Sequence, residues 1–226
     1  MRDLADLTWP QVEAAVGPEL VLAVPIGSTE QHGHHLPLSV DSDVATALCR
    51  GLADRRPGVL IAPMLPYGSS GEHADFPGTI SIGREALESV LVELGRSAAT
   101  TFPRIVVVSG HGGNAEPLRA AVARLREEGR DVRAFEPRWD GDAHAGRTET
   151  SLALALDPNR VDLAAAVPGD TRPLAEILPV LRANGLRAVT ASGVLGDPRD
   201  ADELSGAVLL SRLIGDLTAA VTDWWG

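Results

Sequence analysis

An α/β fold built on a mostly parallel sheet is what this sequence predicts, on three observations. Apolar, β-branched runs alternate with amphipathic helical segments through the first two-thirds of the chain, the pattern of strands joined by helical crossovers. The runs are continuously apolar, as strands covered on both faces must be. Polar segments rich in Gly, His and acidic residues follow the strands directly, where open α/β sheets bind ligands.

Residues 20–26 read as a buried strand. Residues 42–55 read as a helix, with Asp41 or Ser42 at its start and Pro57-Gly58 beyond its end. Residues 59–64 form a second strand. The spacing of Leu87, Val90, Leu91 and Leu94 marks a helix over 84–100. Residues 104–108 are the third strand, 114–128 a helix stopped by Gly129, and 131–135 the fourth strand. The polar stretch 140–150 reads mostly as loop, 150–156 as helix and 207–225 as a closing helix. The region 168–202 is richer in Pro and Gly and yields no assignment. No repeat or linker interrupts the chain, so one domain, 1–226, is expected.

The length suffices for one sizeable core. Thirty-one acids against 20 bases give a net charge of -11, a poor match to a nucleic-acid backbone or an anionic membrane, and neither is an expected partner. The single cysteine, Cys49, sits in an apolar helical pattern and reads as a core residue. It permits no intrachain disulfide and fits a reducing cytoplasm, the expected location. The amino-terminal Met1-Arg2-Asp3-Leu4-Ala5-Asp6 is acidic and lacks the apolar core of a signal peptide.

Candidate chemistry begins after the first strand. Glu30 and His32 lie two apart, and in extended chain that spacing sends both side chains to one side. Asp41 follows at the start of a helix, where capping is the commoner use of Asp. Ser109-Gly110-His111-Gly112-Gly113-Asn114 leaves the third strand, its glycines letting backbone pack closely while His111 points into a cleft. The spacing does not match the phosphate-binding GxxxxGK[ST] pattern. Glu149 heads an apolar helical run, where an acid also suits the helix dipole. Each residue alone has an ordinary structural use. Together they make a donor set of carboxylate oxygen and imidazole nitrogen without thiolate, which suits Zn²⁺, Mn²⁺ or Fe²⁺. Three carboxylates and two histidines exceed the needs of one tetrahedral ion. They suit two divalent ions ~3.5–4 Å apart with one carboxylate between them, and Asp41 is the expected bridge.

In this order the motifs resemble the creatininase family. The matching pieces are Gly27-Ser28-Thr29-Glu30-Gln31-His32-Gly33, Asp41, Gly71-Glu72-His73 with Phe76-Pro77-Gly78-Thr79, Gly110-His111-Gly112-Gly113-Asn114, His144-Ala145-Gly146 with Glu149-Thr150-Ser151, and Gly193-Val194-Leu195-Gly196-Asp197-Pro198. The resemblance implies a three-layer α/β/α fold, two divalent metal ions per subunit, amide hydrolysis, and homo-oligomers such as hexamers or octamers. Carried over motif by motif, it implies Glu30, His32, Asp41, His111 and Glu149 as metal ligands. It implies His144 as the acid/base histidine, with Glu149 also serving catalysis, and Ser70, Glu72 and His73 as substrate-binding residues.

Two departures from the family pattern matter. Creatinine-hydrolysing members carry Tyr-Glu directly after the motif histidine, and that Glu binds metal; here Gly112 and Gly113 stand there. Glu149 then has to complete the centre, and creatinine is not the expected substrate. Many members have Pro where this chain has His34, which reads as a surface residue or as one that supports the metal ligands from behind rather than as a ligand. Within the family the likeness is greatest to members that process a short modified precursor peptide, through Ser70-Gly71-Glu72-His73, Thr79-Ile80-Ser81-Ile82-Gly83 and the His144 segment. That likeness implies cleavage beside a modified C-terminal Val-Tyr pair during maturation of a redox cofactor. Two alternatives stay open: hydrolysis of a small cyclic amide or formamide at the same metals, and a metal-stabilised binding protein without turnover.

Overall fold

Strands β1 (Val21–Ile26), β2 (Val59–Ile61), β3 (Arg104–Ser109) and β4 (Val132–Phe135) form a sheet ordered β2-β1-β3-β4, every neighbouring pair parallel. The structure is a computed structural model describing residues 3–226. Met1 and Arg2, part of the amino-terminal segment and of the 1–226 domain read above, lie outside the described residues. The period of two sends Val21, Ala23, Val106 and Val108 to one face of the sheet. Leu22, Val24, Ile105 and Val107 go to the other.

The helices are α1 (Trp9–Ala15), α2 (Val40–Arg55), α3 (Arg84–Ala98), α4 (Ala115–Glu127), α5 (Arg147–Leu156), α6 (Leu174–Asn184) and α7 (Glu203–Trp225). Helices α2, α5 and α7 cover the first face through Leu48, Leu52, Leu152, Leu213 and Leu217, with Cys49 buried among them. Helices α3 and α4 cover the second through Leu87, Leu91, Leu118 and Leu125. Each such leucine contributes about 1.5–3 kcal/mol by leaving water. The result is three layers, α/β/α. Helix α7 is long and apolar enough, by length and composition, to cross a membrane; here its Leu213, Leu217, Val221 and Trp225 are buried in the core shared with α2 and α5.

Several boundaries differ from the sequence expectation for physical reasons. Strand β2 stops at Ile61 rather than 64, because Pro63 has no N–H to give the ladder; pairing resumes only as a single bridge between Ile26 and Leu65. Helix α5 starts at Arg147, three residues before the expected 150, and takes Glu149 into its first turn. Helix α7 starts at Glu203 rather than 207, where the Asp202 carboxylate accepts from Ser205 N–H at 2.8 Å. The unassigned region 168–202 contains α6, with Pro179 inside it. Helix α1, not expected, is started by Gln11, whose Oε1 accepts from Thr8 N–H at 2.7 Å.

The chain runs from β1 to β2 on one side while β3 lies on the other, so the order of strands reverses between β1 and β3. Ligands of open α/β sheets bind at that crevice. Ile26 pairs with Ser109 at the ends of the two strands, so the chain leaves both at the same level, side by side.

Candidate metal centre

The segments leaving β1 and β3 are tied together before any functional group is placed. Asn114 donates from Nδ2 to the Gly27 carbonyl and accepts at Oδ1 from Ser69 N–H, each at 2.9 Å, linking three segments. Gly110 passes so close to α2 that an added Cβ would stand 2.0 Å from the Asp41 carbonyl oxygen, so only glycine fits. Asp41 does not cap its helix: Ser39 holds that position, and Asp41 turns its carboxylate inward, where Ser28 Oγ donates to Oδ2 at 2.6 Å. On the opposite wall, Leu195 N–H donates to the His144 carbonyl at 2.8 Å. Ala145 follows in the left-handed region at φ 51°, a conformation costing ~1–2 kcal/mol, and its N–H donates to Glu149 Oε2 at 2.5 Å.

Glu30, His32, Asp41, His111 and Glu149 are all buried and converge, as does His144. Asp41 stands between two donor groups. Its Oδ2 is 3.2 Å from His111 Nδ1, and the same ring lies 3.2 Å from Glu30 Oε2 through Nε2. Its Oδ1 is 3.3 Å from His32 Nε2, which is 3.9 Å from Glu149 Oε2. Two donors each ~2.1 Å from one tetrahedral ion sit ~3.4 Å apart, so the separations of Asp41 from His111 Nδ1 and from His32 Nε2 suit shared cations. His32 Nδ1–H donates to the Glu30 carbonyl and His111 Nε2–H to the Ser69 carbonyl, each at 3.1 Å. The remaining nitrogens face Asp41, holding protons there in the metal-free protein and free to bind metal once those protons leave, the backbone-braced arrangement usual for metal-binding histidines. Both carboxylate oxygens of Glu30 are buried without a hydrogen-bond partner among the described residues, which a cation would relieve.

The electrostatics point the same way. Burial raises the Glu30 carboxyl to about 7, against the pull of His111, and burial raises Glu149 as well. Asp41 goes the other way: burial opposes its ionisation, but His32 and His111 hold it well below the usual carboxylate range. Burial disfavours charge on His32 and His111 too, yet Asp41 beside the first and Glu30 beside the second draw both up to about 10. Three buried carboxylates thus demand positive charge, which protons or divalent ions can supply. Burial lowers His73 to about 3 and His144 well below its ordinary value, so both are neutral near pH 7.

The family model described as creatininase, creatinine amidohydrolase, matches residues 5–221. The chain belongs to the creatininase family. It is 46% identical over 231 residues to the mycofactocin precursor peptide peptidase of Mycobacterium ulcerans (strain Agy99), covering 96% of this chain and 86% of that relative. A solved structure titled creatininase Mn superposes with a TM-score of 0.83 at 30% identity, over 99% of this chain and 98% of that one. A creatininase variant of Zn–Zn type gives the same TM-score of 0.83, identity of 30% and coverage of 99% and 98%. The α/β/α fold expected from the family resemblance is borne out.

This creatininase-family chain has no room for a side chain after His111-Gly112. A Cβ on Gly113 would stand 2.3 Å from the Ser69 carbonyl oxygen and 2.4 Å from His111 Nε2. Glu149 presents a buried carboxylate from α5, its Oε2 3.9 Å from His32 Nε2. The three residues assigned to substrate binding lie on the Ser69–His73 loop. Ser70 Oγ is 3.5 Å from His111 Nε2, and half-buried Glu72 stands beside Gly113. His73 goes deeper than expected, its Nε2 3.3 Å from Glu30 Oε1, within reach of His144. His34 is exposed, as expected, and its neighbour His35 is buried with Nε2 2.8 Å from Thr150 Oγ1. Sequence reasoning assigned no role to Gln31 or Asn114. Both stood in the motifs, but their partners are remote in sequence. A cleft of about 650 Å³ opens beside His111 and Glu149, bounded by Arg138, Trp139 and Leu174.

Proposed function

We propose that this chain is a two-metal peptidase of mycofactocin biosynthesis, hydrolysing the modified precursor peptide and releasing its C-terminal Val-Tyr-derived dipeptide. The observation that carries the metal assignment is Asp41, with one carboxylate oxygen toward each of two donor groups. Glu30, His111 and Asp41 would hold one divalent ion; His32 and Glu149, which also cluster with His144, would hold the other with Asp41, whose Oδ1 is 3.3 Å from His32 Nε2. Bound there, the ions supply Lewis acidity and acidify water, which hydrolysis of an unactivated amide needs. The likeness to a named peptidase over 96% of the chain supports a peptide over a small cyclic amide.

The chain's own residues do the rest. His144 is neutral and offers a ring nitrogen toward Glu30 and Glu149, so it can take a proton as an amide is attacked and return it to the leaving amine. His73 can donate a hydrogen bond at the edge of the same cluster. The cleft of about 650 Å³ beside His111 and Glu149 falls in the size range of ligand pockets, with Trp139 and Leu174 to take apolar side chains. The test is to incubate the purified protein with the modified precursor peptide, with and without chelator, and weigh the products. A dipeptide released only without chelator is expected; an intact peptide beside metal-replete protein would overturn the assignment.

A further inference from the structure

Gln31 lies between Glu30 and His32 but turns its side chain away from both. Its amide is buried and its orientation is fixed, because Oε1 accepts from Gly33 N–H at 2.9 Å. The amide nitrogen then has two hydrogens to place and three neighbours, each at 3.0 Å: the Gly193 carbonyl, His73 Nδ1 and His144 Nε2. His144 Nε2 is also 2.9 Å from Gln31's own carbonyl oxygen. That oxygen can only accept, so His144 Nε2 must carry a proton. Gln31 is left to donate to Gly193 and to His73 Nδ1, and each group is satisfied once. Reversing the tautomer of His144 sets two acceptors face to face; reversing His73 sets two donors face to face.

We propose that Gln31 is a positioning residue that sets two tautomers, that of His73 through its side-chain amide and that of His144 through its backbone carbonyl, with the proton on Nε2 of each ring. His144 then turns a basic Nδ1 toward the oxygens of Glu30 and Glu149, 3.9 Å from each. His73 turns an N–H toward Glu30 Oε1. One residue, through its backbone carbonyl and its uncharged amide, thereby makes one ring a proton acceptor and the other a donor at the same carboxylate cluster. A carboxylate at position 31 could only accept, and an alkyl group could do neither. The consequence for rate rests on the peptidase assignment; the tautomers are a property of the protein itself.

Nitrogen-15 NMR of protein with labelled histidine rings tests this, since protonated and lone-pair ring nitrogens resonate far apart. Spectra of the metal-free and zinc-loaded protein, assigned with His73→Gln and His144→Gln, should show both rings protonated at Nε2. Gln31→Glu should move the His73 proton to Nδ1 and leave the number of bound zinc ions unchanged. It should lower kcat by about 10–100-fold, as loss of an outer-sphere partner does, with KM little changed. Gln31→Met, of similar size, should leave His73 a mixture of tautomers. The proposal fails if either wild-type ring carries its proton on Nδ1, or if Gln31→Glu keeps both tautomers or full kcat. Should both variants fail to fold, the wild-type spectrum alone decides. Predicted spectra in a protein that leaves the peptide intact would sink the substrate assignment and spare this one.

Discussion

Across α3 and α4, Arg84 pairs with Glu116 and Arg96 with Glu128 at the edge of solvent, while at the carboxyl ends of β1 and β3 the acids Glu30, Asp41 and Glu149 are shut away with four histidines. The chemical groups are similar and the physics is not. Water and salt screen the surface pairs, and removing one partner leaves the other solvated. Inside, nothing screens, and removing one partner leaves charge uncompensated at a cost of about 3–5 kcal/mol. The acidic excess of the whole chain therefore says little about function, whereas three buried acids gathered at one site say a great deal.

Substitutions can break that contrast. Asp41→Asn should have the largest effect, because it weakens both donor groups at once: metal content by elemental analysis should fall to near zero and turnover with it. Retention of two ions would show that Asp41 is not shared between them. His144→Ala should keep the metal and lose ~10²–10⁴-fold in kcat; an unchanged rate would remove His144 from the chemistry.

Titration sharpens the contrast further. In metal-free protein the folded-state pKa of Glu30 is raised from 4.5 to about 7, and those of His32 and His111 from 6.5 to about 10. Between about 6.5 and about 10 the folded chain then binds more protons than the unfolded one, so the stability these groups contribute is lost as pH rises through that window. Below 6.5 the lowered His35, His73 and His144 contribute the opposite slope, joined below 3.8 by Asp41. Melting temperature of chelated protein should decline across the window, and divalent metal should flatten the decline by replacing those protons. An equal decline with and without metal would separate the cluster from metal binding. Arg96→Ala, at the exposed end of the comparison, should leave kcat unchanged and melting close to wild type.

The sequence makes most of this legible because the strands are short apolar runs and the donors sit at fixed places beyond them. The parallel sheet, α2 to α5 and the convergence of Glu30, His32, Asp41 and His111 follow from local pattern and from which strand each residue leaves. Helix α6 is hidden because Pro179 interrupts its pattern amid other Pro and Gly. Helix α1 has a visible start in Thr8, Pro10 and Gln11 but is only seven residues long. Gln31 is opaque for a different reason: its partners His73, His144 and Gly193 lie 42, 113 and 162 residues away, and no local period reports a contact that only folding creates.

Anomalous diffraction from crystals of zinc-loaded protein tests the shared carboxylate most directly. Two ions per chain are predicted, one with Glu30 and His111, the other with His32 and Glu149, and Asp41 in contact with each. A single ion, or a pair lying away from Asp41, would contradict it.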